Sequence, residues 1–360
     1  MTVALHPDVP KTEVEEVEVE DGARNYSRND TCYLSKSSAK LSNIKELFEE
    51  LNKELDKSSG EQITDVNQNQ SDEQLEEDKL RRLLNFNEAP SYLAHNRFIL
   101  SGYRGLLTTK LCLESVFWWT NETINIWSHI FGFFLFSVLT VYDIFALDVD
   151  ATNTDKVIIA QVLICFMVCM LLSACYHTFS CRSESDFHCF LSFDLFGIAL
   201  SLFAIYISGI YFAFWCHPGL RHFYISTVSL IFVIAMAMQL PRFKVDSHVK
   251  MLVFVAWAAY GVVPTIHWTI EMGGLRHPVV SLLLPRVLGM YVISGTAFFI
   301  YLTKIPERFA AGKFDFLGHS HQWWHVIIVA ALYYWHCSGM VYVNYRINHT
   351  CSDSMRIDFY

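Results

Sequence analysis

Residues 157–180 read VIIAQVLICFMVCMLLSACYHTFS: sixteen positions without a formal charge or a proline run straight into Ser173-Ala-Cys-Tyr-His177, and the segment decides the fold. A helix rising about 1.5 Å per residue needs roughly 20 apolar residues to cross a hydrocarbon core of about 30 Å, and this stretch is that long. Working outward, similar apolar runs recur at about 124–146, 190–213, 222–240, 250–270, 279–303 and 321–343, separated by short polar breaks. Lipid offers the backbone no hydrogen-bond partners, so runs of this length are read as helices. The expected fold is an all-α membrane protein, a seven-transmembrane helix bundle over 123–343.

The rest of the composition agrees. The chain has 360 residues, 52% hydrophobic and 18% charged, with a net charge of -9. Residues 1–88 hold 21 acidic and 11 basic side chains, so the negative charge resides in that tail. With no basic stripe in either part, no nucleic acid is expected as a partner. The tail is expected to be a largely disordered cytosolic arm, with a juxtamembrane segment at 89–122 and a short lumenal tail at 344–360. Within the arm, NIKELFEELNKELDK (43–57) places Ile44, Leu47, Phe48, Leu51 and Leu55 at helical spacing, with Asn43 and Glu46 resembling a capping box. This is an amphipathic helix that either docks on its own bundle or offers a surface to a cytosolic partner. The opening MTVALHPDVPKTEVEEVEVEDG has neither a basic nor an apolar signal region, so no cleavable signal is expected.

Orientation follows from Lys and Arg. Breaks two, four and six carry Arg182, Arg242, Lys244, Lys250, Lys304, Arg308 and Lys313, whereas breaks one, three and five carry only Lys156, Arg221 and Arg276. By the positive-inside rule the N-terminus is cytosolic and the C-terminus lumenal or extracellular. The sequons at Asn25, Asn29 and Asn121 are then expected to be silent. The ten cysteines contain no CxxC pair and lie mostly in apolar runs, so they read as small core residues, not a disulfide framework. Pro264 and Pro285 are expected to kink spans five and six.

Ionisable groups inside a span are costly, and they single out Ser173 and His177 near the end of span two, Asp194 near the start of span three, and His321-Gln-Trp-Trp-His325 at the start of span seven. An i, i+4 pair shares one helix face, with Cβ atoms about 5–6 Å apart. The end of an even span and the start of an odd span lie on the same side of the membrane, so all these groups sit at similar depth. Three histidines are the usual ligand set of a catalytic zinc, with a fourth position left for water. Asp194 would accept that water's proton and Ser173, one turn deeper than His177, would hydrogen-bond it or a carbonyl. A closed structural ion pinning spans two, three and seven would use the same residues. His129 in span one also lies on the cytosolic side, whereas His267, His336 and Arg286 have no partner that spacing identifies and are read as structural.

These motifs resemble the progestin and adipoQ receptor family, relatives of the adiponectin receptors and haemolysin III-like proteins. The likeness runs from about Pro90 to Arg346 and is carried by Ser101-Gly-Tyr-Arg104, Asn121-Glu-Thr-Ile-Asn-Ile-Trp-Ser-His129, SxxxH at 173–177, Asp194, Pro306-Glu-Arg308 and SHQxxH at 320–325. It implies a cytosolic N-terminus, Zn2+ on His177, His321 and His325, and Asp194 and Ser173 beside the metal. Stretches such as LTTKLCLESVFWWTNETINIWSHIFGFFLF (107–136), YGVVPTIHW (260–268) and PRVLGMY (285–291) are similar to a Golgi-resident member of the family. That likeness implies residence in the Golgi membrane and capture of a Raf-type kinase at the cytosolic face, which would dampen MAP kinase signalling. The family also implies two alternatives, a zinc-dependent amide hydrolase acting on a membrane lipid such as ceramide, and a ligand receptor. Ala311 stands where many members have proline, and the long acidic arm looks like an addition, which leaves 89–110 as the better candidate for binding the kinase.

Overall fold

The computed structural model describes residues 45–54, 77–146, 151–239, 243, 245–349 and 351. Most of the acidic arm lies outside these residues, including Asn43, Ile44 and Leu55 of the amphipathic stretch and the sequons at Asn25 and Asn29; so do Arg242, Lys244 and residues 352–360. Residues 45–54 are helical and expose Leu47, Phe48 and Leu51. They belong to a unit of their own, Met1–Gln74, distinct from Leu75–Tyr360.

In the second unit a short helix, α1 (Thr109–Ser115), precedes α2 (Thr123–Ala146), α3 (Asn153–Phe179), α4 (Glu184–Ala213), α5 (Pro218–Ala237), α6 (Ser247–Tyr260), α7 (Val262–Glu271), α8 (Pro278–Thr303) and α9 (Ser320–Asn348). Seven of the resulting spans are long and apolar enough to cross a membrane, α6 and α7 forming one of them together. The protein is thus a multi-pass membrane helix bundle. Among the described residues there is no strand, only an isolated antiparallel bridge between Leu84 and Tyr103.

Local signals set the helix starts. Thr152 and Asp155 close a reciprocal capping box at α3, Ser183 accepts from the Asp186 amide at α4, and Pro218 and Pro278 occupy the first turns of α5 and α8. The fifth span breaks at Gly261, three residues before Pro264, which therefore sits in the first turn of α7. Its missing N–H removes no helical bond there. Pro285 lies inside α8, which remains one helix.

Helices α3 and α9 have half their apolar window buried and form the centre, with α9 packing on α2, α3, α4 and α8. Close approach depends on glycine at two crossings. A Cβ on Gly132 of α2 would meet Met170 Sδ at 2.7 Å, and one on Gly197 of α4 would meet the Cys169 Cα at 3.0 Å. Small residues at such crossings let membrane helices gain dispersion contacts where no hydrophobic drive exists between them. On the outer face of α2, Phe131, Phe134, Val138, Val141, Tyr142 and Phe145 are exposed, a stripe suited to acyl chains.

The cysteine reading needs one correction. Cys216, after α4, and Cys351, after α9, form a disulfide with Cα atoms 5.5 Å apart. These two lie outside the apolar cores of the spans, which is why packing does not claim them. Alkylation without prior reduction should leave Cys216 unmodified while the exposed Cys189 reacts. An equally modified Cys216 in the folded protein would refute the pairing.

Candidate metal centre

The ends of α3 and the start of α9 meet at one end of the bundle and bring together His177, His321 and His325, whose nearest ligand atoms all lie within 4.8 Å of one another. His177 and His325 are buried at 3% and 2% exposure, and His321 is half-buried. The i, i+4 spacing on α9 does what helix geometry requires, and topology supplies the third ring.

Hydrogen bonds behind the rings decide which nitrogens face inward. His177 Nδ1 donates to Glu122 Oε2 at 2.7 Å, since a carboxylate can only accept. Its Nε2 is then an acceptor, buried and without a hydrogen-bond partner. His325 Nδ1 lies 2.8 Å from His129 Nε2, while His325 Nε2 faces His321 Nε2 at 3.3 Å. Two nitrogens bound at about 2.0–2.1 Å to one tetrahedral zinc would lie about 3.3 Å apart, so this separation fits a shared ion. A buried histidine triad with a bare Nε2 can hold a metal ion.

Glu122 and His129 were legible in the sequence only as parts of a motif. The signal was there: Glu122, Asn125 and His129 follow helical spacing on one face, and Asn125 Nδ2 donates to the same Glu122 oxygen at 2.7 Å. Burial works to raise the Glu122 carboxyl, but His177, and further off Arg104, hold it below the usual carboxylate range. Partners of this kind fix the ring orientation of ligating histidines.

Ser173 lies close enough to Asp194 for its hydroxyl to interact with the carboxylate, and Asp194 lies close enough to His177 to interact electrostatically with it. The structure therefore brings together all five side chains singled out by the spacing argument. The aromatic ring of Tyr301 packs on His321 with centroids 5.6 Å apart, closing the site toward α8.

The segment ahead of the bundle and the loop before α9 lock this arrangement. Arg104, 3% exposed, donates to Ser115 Oγ at 2.8 Å, to the Thr178 carbonyl at 3.0 Å and to the His177 carbonyl. Glu307, fully buried, accepts from the Ser320 amide at 2.7 Å, from Ser320 Oγ and from Asn96 Nδ2 at 3.0 Å. It caps α9 from thirteen residues away, where His319 makes no side-chain cap. Asp315 takes the Leu100 amide at 3.0 Å and Ser101 Oγ at 2.7 Å. Asn121 is 6% exposed and its carbonyl accepts from His319 Nε2 at 3.0 Å, so its sequon is folded into this lock.

Two of the singletons find structural partners. His336 pairs with Asp143 at 2.7 Å, and His267 contacts the Tyr224 hydroxyl at 2.8 Å and Glu271 at 3.3 Å. Arg286 keeps a buried Nε without a hydrogen bond.

Seven apolar spans around a buried histidine triad define a class, multi-pass membrane proteins with a candidate metal centre near one membrane face. A family model described as haemolysin-III related matches residues 117–336. Progestin and adipoQ receptor family member 3 of Mus musculus is 40% identical over 278 residues, covering 76% of this chain and 89% of that protein. An adiponectin receptor protein of Drosophila melanogaster is 29% identical, over 70% of this chain and 57% of its own, and heptahelical transmembrane protein 1 of Arabidopsis thaliana is 27% identical, over 76% and 85%. The chain belongs to the haemolysin-III related family of progestin and adipoQ receptors.

Proposed function

We propose that the protein is a Golgi membrane protein that binds zinc through His177, His321 and His325 and retains a Raf-type kinase at its cytosolic face, dampening MAP kinase signalling. The observation that supports the metal is the 3.3 Å approach of two imidazole nitrogens beside the bare Nε2 of His177. Imidazole nitrogen at that spacing suits zinc. The kinase and the Golgi membrane rest on the family resemblance carried by residues 107–136, 260–268 and 285–291. The Lys/Arg asymmetry supports a cytosolic N-terminus, and so does the Cys216–Cys351 bond at the opposite end of the bundle, since disulfides persist in oxidising compartments. The direct experiment expresses the full chain and follows the kinase by fractionation. Redistribution to Golgi membranes supports the proposal, and an unchanged distribution with the protein in place defeats the kinase reading.

A second reading, hydrolysis of a lipid amide such as ceramide, is favoured by the Ser173–Asp194 pair beside His177. Zinc held here would polarise a carbonyl oxygen and lower the pKa of a coordinated water to about 7. Asp194 would accept the proton of the attacking water and return it to the leaving amine, while Ser173 orients the carboxylate. In this reading Asp194→Asn lowers amide turnover about 100-fold or more with zinc content unchanged. Turnover equal to wild type in that variant removes Asp194 from the chemistry; kinase retention should persist in either case.

A further inference from the structure

Cys112 on α1 and Cys181, two residues past the end of α3, are 0% and 1% exposed, and their sulfurs lie 3.6 Å apart. Packing alone does not require two thiols to face each other across 69 residues of sequence. The Leu107 amide donates to the Cys181 carbonyl at 3.1 Å, so backbone as well as side chains holds the pair in register. Leu107 and Leu111 complete the small buried cluster around them, with Leu93, Trp118 and Phe179 against it.

We propose that Cys112 and Cys181 form a peroxide-sensitive dithiol that closes to a disulfide and covalently ties the segment ahead of the bundle to the end of α3. Cys181 is the first to react. The hydrogen bond from Cys112 holds its thiol below the usual range against burial, with Arg104 adding to the effect, and Cys112 is correspondingly raised. The Cys181 thiolate attacks hydrogen peroxide, forming an S–O bond and breaking O–O; the departing hydroxide takes up a proton to become water. Cys112 then attacks the Cys181 sulfenic sulfur, the S–S bond forms, the S–O bond breaks, and the second water leaves with the Cys112 proton. Two thiols lose two electrons and one peroxide becomes two waters. Burial of both sulfurs favours a small oxidant over glutathione disulfide.

The pair is wired to the metal centre. Ser115 Oγ donates to the Cys112 carbonyl at 2.7 Å and accepts from Arg104, and Arg104 also holds the carbonyls of His177 and Thr178. The new bond would brace the arginine clamp behind a candidate ligand.

The test treats the full-length protein in membranes with hydrogen peroxide, blocks remaining thiols by alkylation, and digests without reduction. The expected result is a cross-linked peptide pair containing Cys112 and Cys181, two hydrogens lighter than the sum of its parts, with equal loss of alkylatable thiol at both positions. Dithiothreitol should reverse it. Exposed Cys189 reports that peroxide reached the protein. The proposal is overturned if Cys189 is oxidised while Cys112 and Cys181 are both recovered as thiols, or if each is oxidised without the cross-link. The wild-type measurement decides even if Cys112→Ser fails to fold; where it folds, Cys181 should proceed to sulfinic acid for want of its partner.

Discussion

Zinc measured in the detergent-purified protein should fall from about one ion per chain to background when His321 and His325 are both replaced by alanine, because a four-coordinate site cannot survive on one imidazole. The loss is expected to be all-or-none, since each histidine supplies one ligand atom to a cluster with a single centre. A graded response should come from the residues behind it. His129→Ala removes the group 2.8 Å from His325 Nδ1, and Glu122→Gln weakens the acceptor of His177 Nδ1; each should lower zinc affinity about 10–100-fold in chelator competition while leaving the ion bound at saturation. Zinc retained at wild-type stoichiometry in the double variant would sink the triad as the binding site. Fold is checked independently by gel filtration and by the intact Cys216–Cys351 bond.

The largest stability effect is expected at Glu307, a loop residue far from any catalytic role. Its side chain is fully buried and satisfies three donors, the Ser320 amide, Ser320 Oγ and Asn96 Nδ2, at the N-terminus of α9. Negative charge is favoured at that end of a helix. Glu307→Ala strands those donors in a dry site, and at about 1–3 kcal/mol for each unsatisfied buried group the total is on the order of 3–5 kcal/mol or more. The expected outcome is loss of monodisperse protein, or a fall in melting temperature larger than that of any exposed substitution. Glu307→Gln, which keeps one acceptor oxygen, should be intermediate. Equal melting of Glu307→Ala and wild type would mean that α9 does not depend on this cap.

Much of this architecture is legible in the residues, for a reason that differs between its parts. The spans are legible because bilayer thickness sets their length, and α2, α3 and α8 begin or end within a few residues of the apolar runs. The triad is legible because an i, i+4 pair and the parity of span ends need no tertiary detail. What spacing misses is what reaches across the chain. Arg104 binds carbonyls 73 and 74 residues away, and Asn96 meets Glu307 across 211. Nothing local in either stretch names its partner. Glu122 and His129 fall between these cases, since their common helix face is visible while the rings they serve belong to other helices. Cys216 was misread because a lone cysteine beside an apolar run looks like packing until the chain's far end returns to it.

That return has a consequence for handling the molecule. The bond between Cys216 and Cys351, 135 positions apart in sequence, makes the last four spans part of one covalent ring. A single proteolytic nick anywhere inside the ring opens it without releasing a fragment. On a denaturing gel run without reductant such a nicked chain would migrate as one species, and only reduction would separate two bands. Preparations judged intact under those conditions can therefore already be cut.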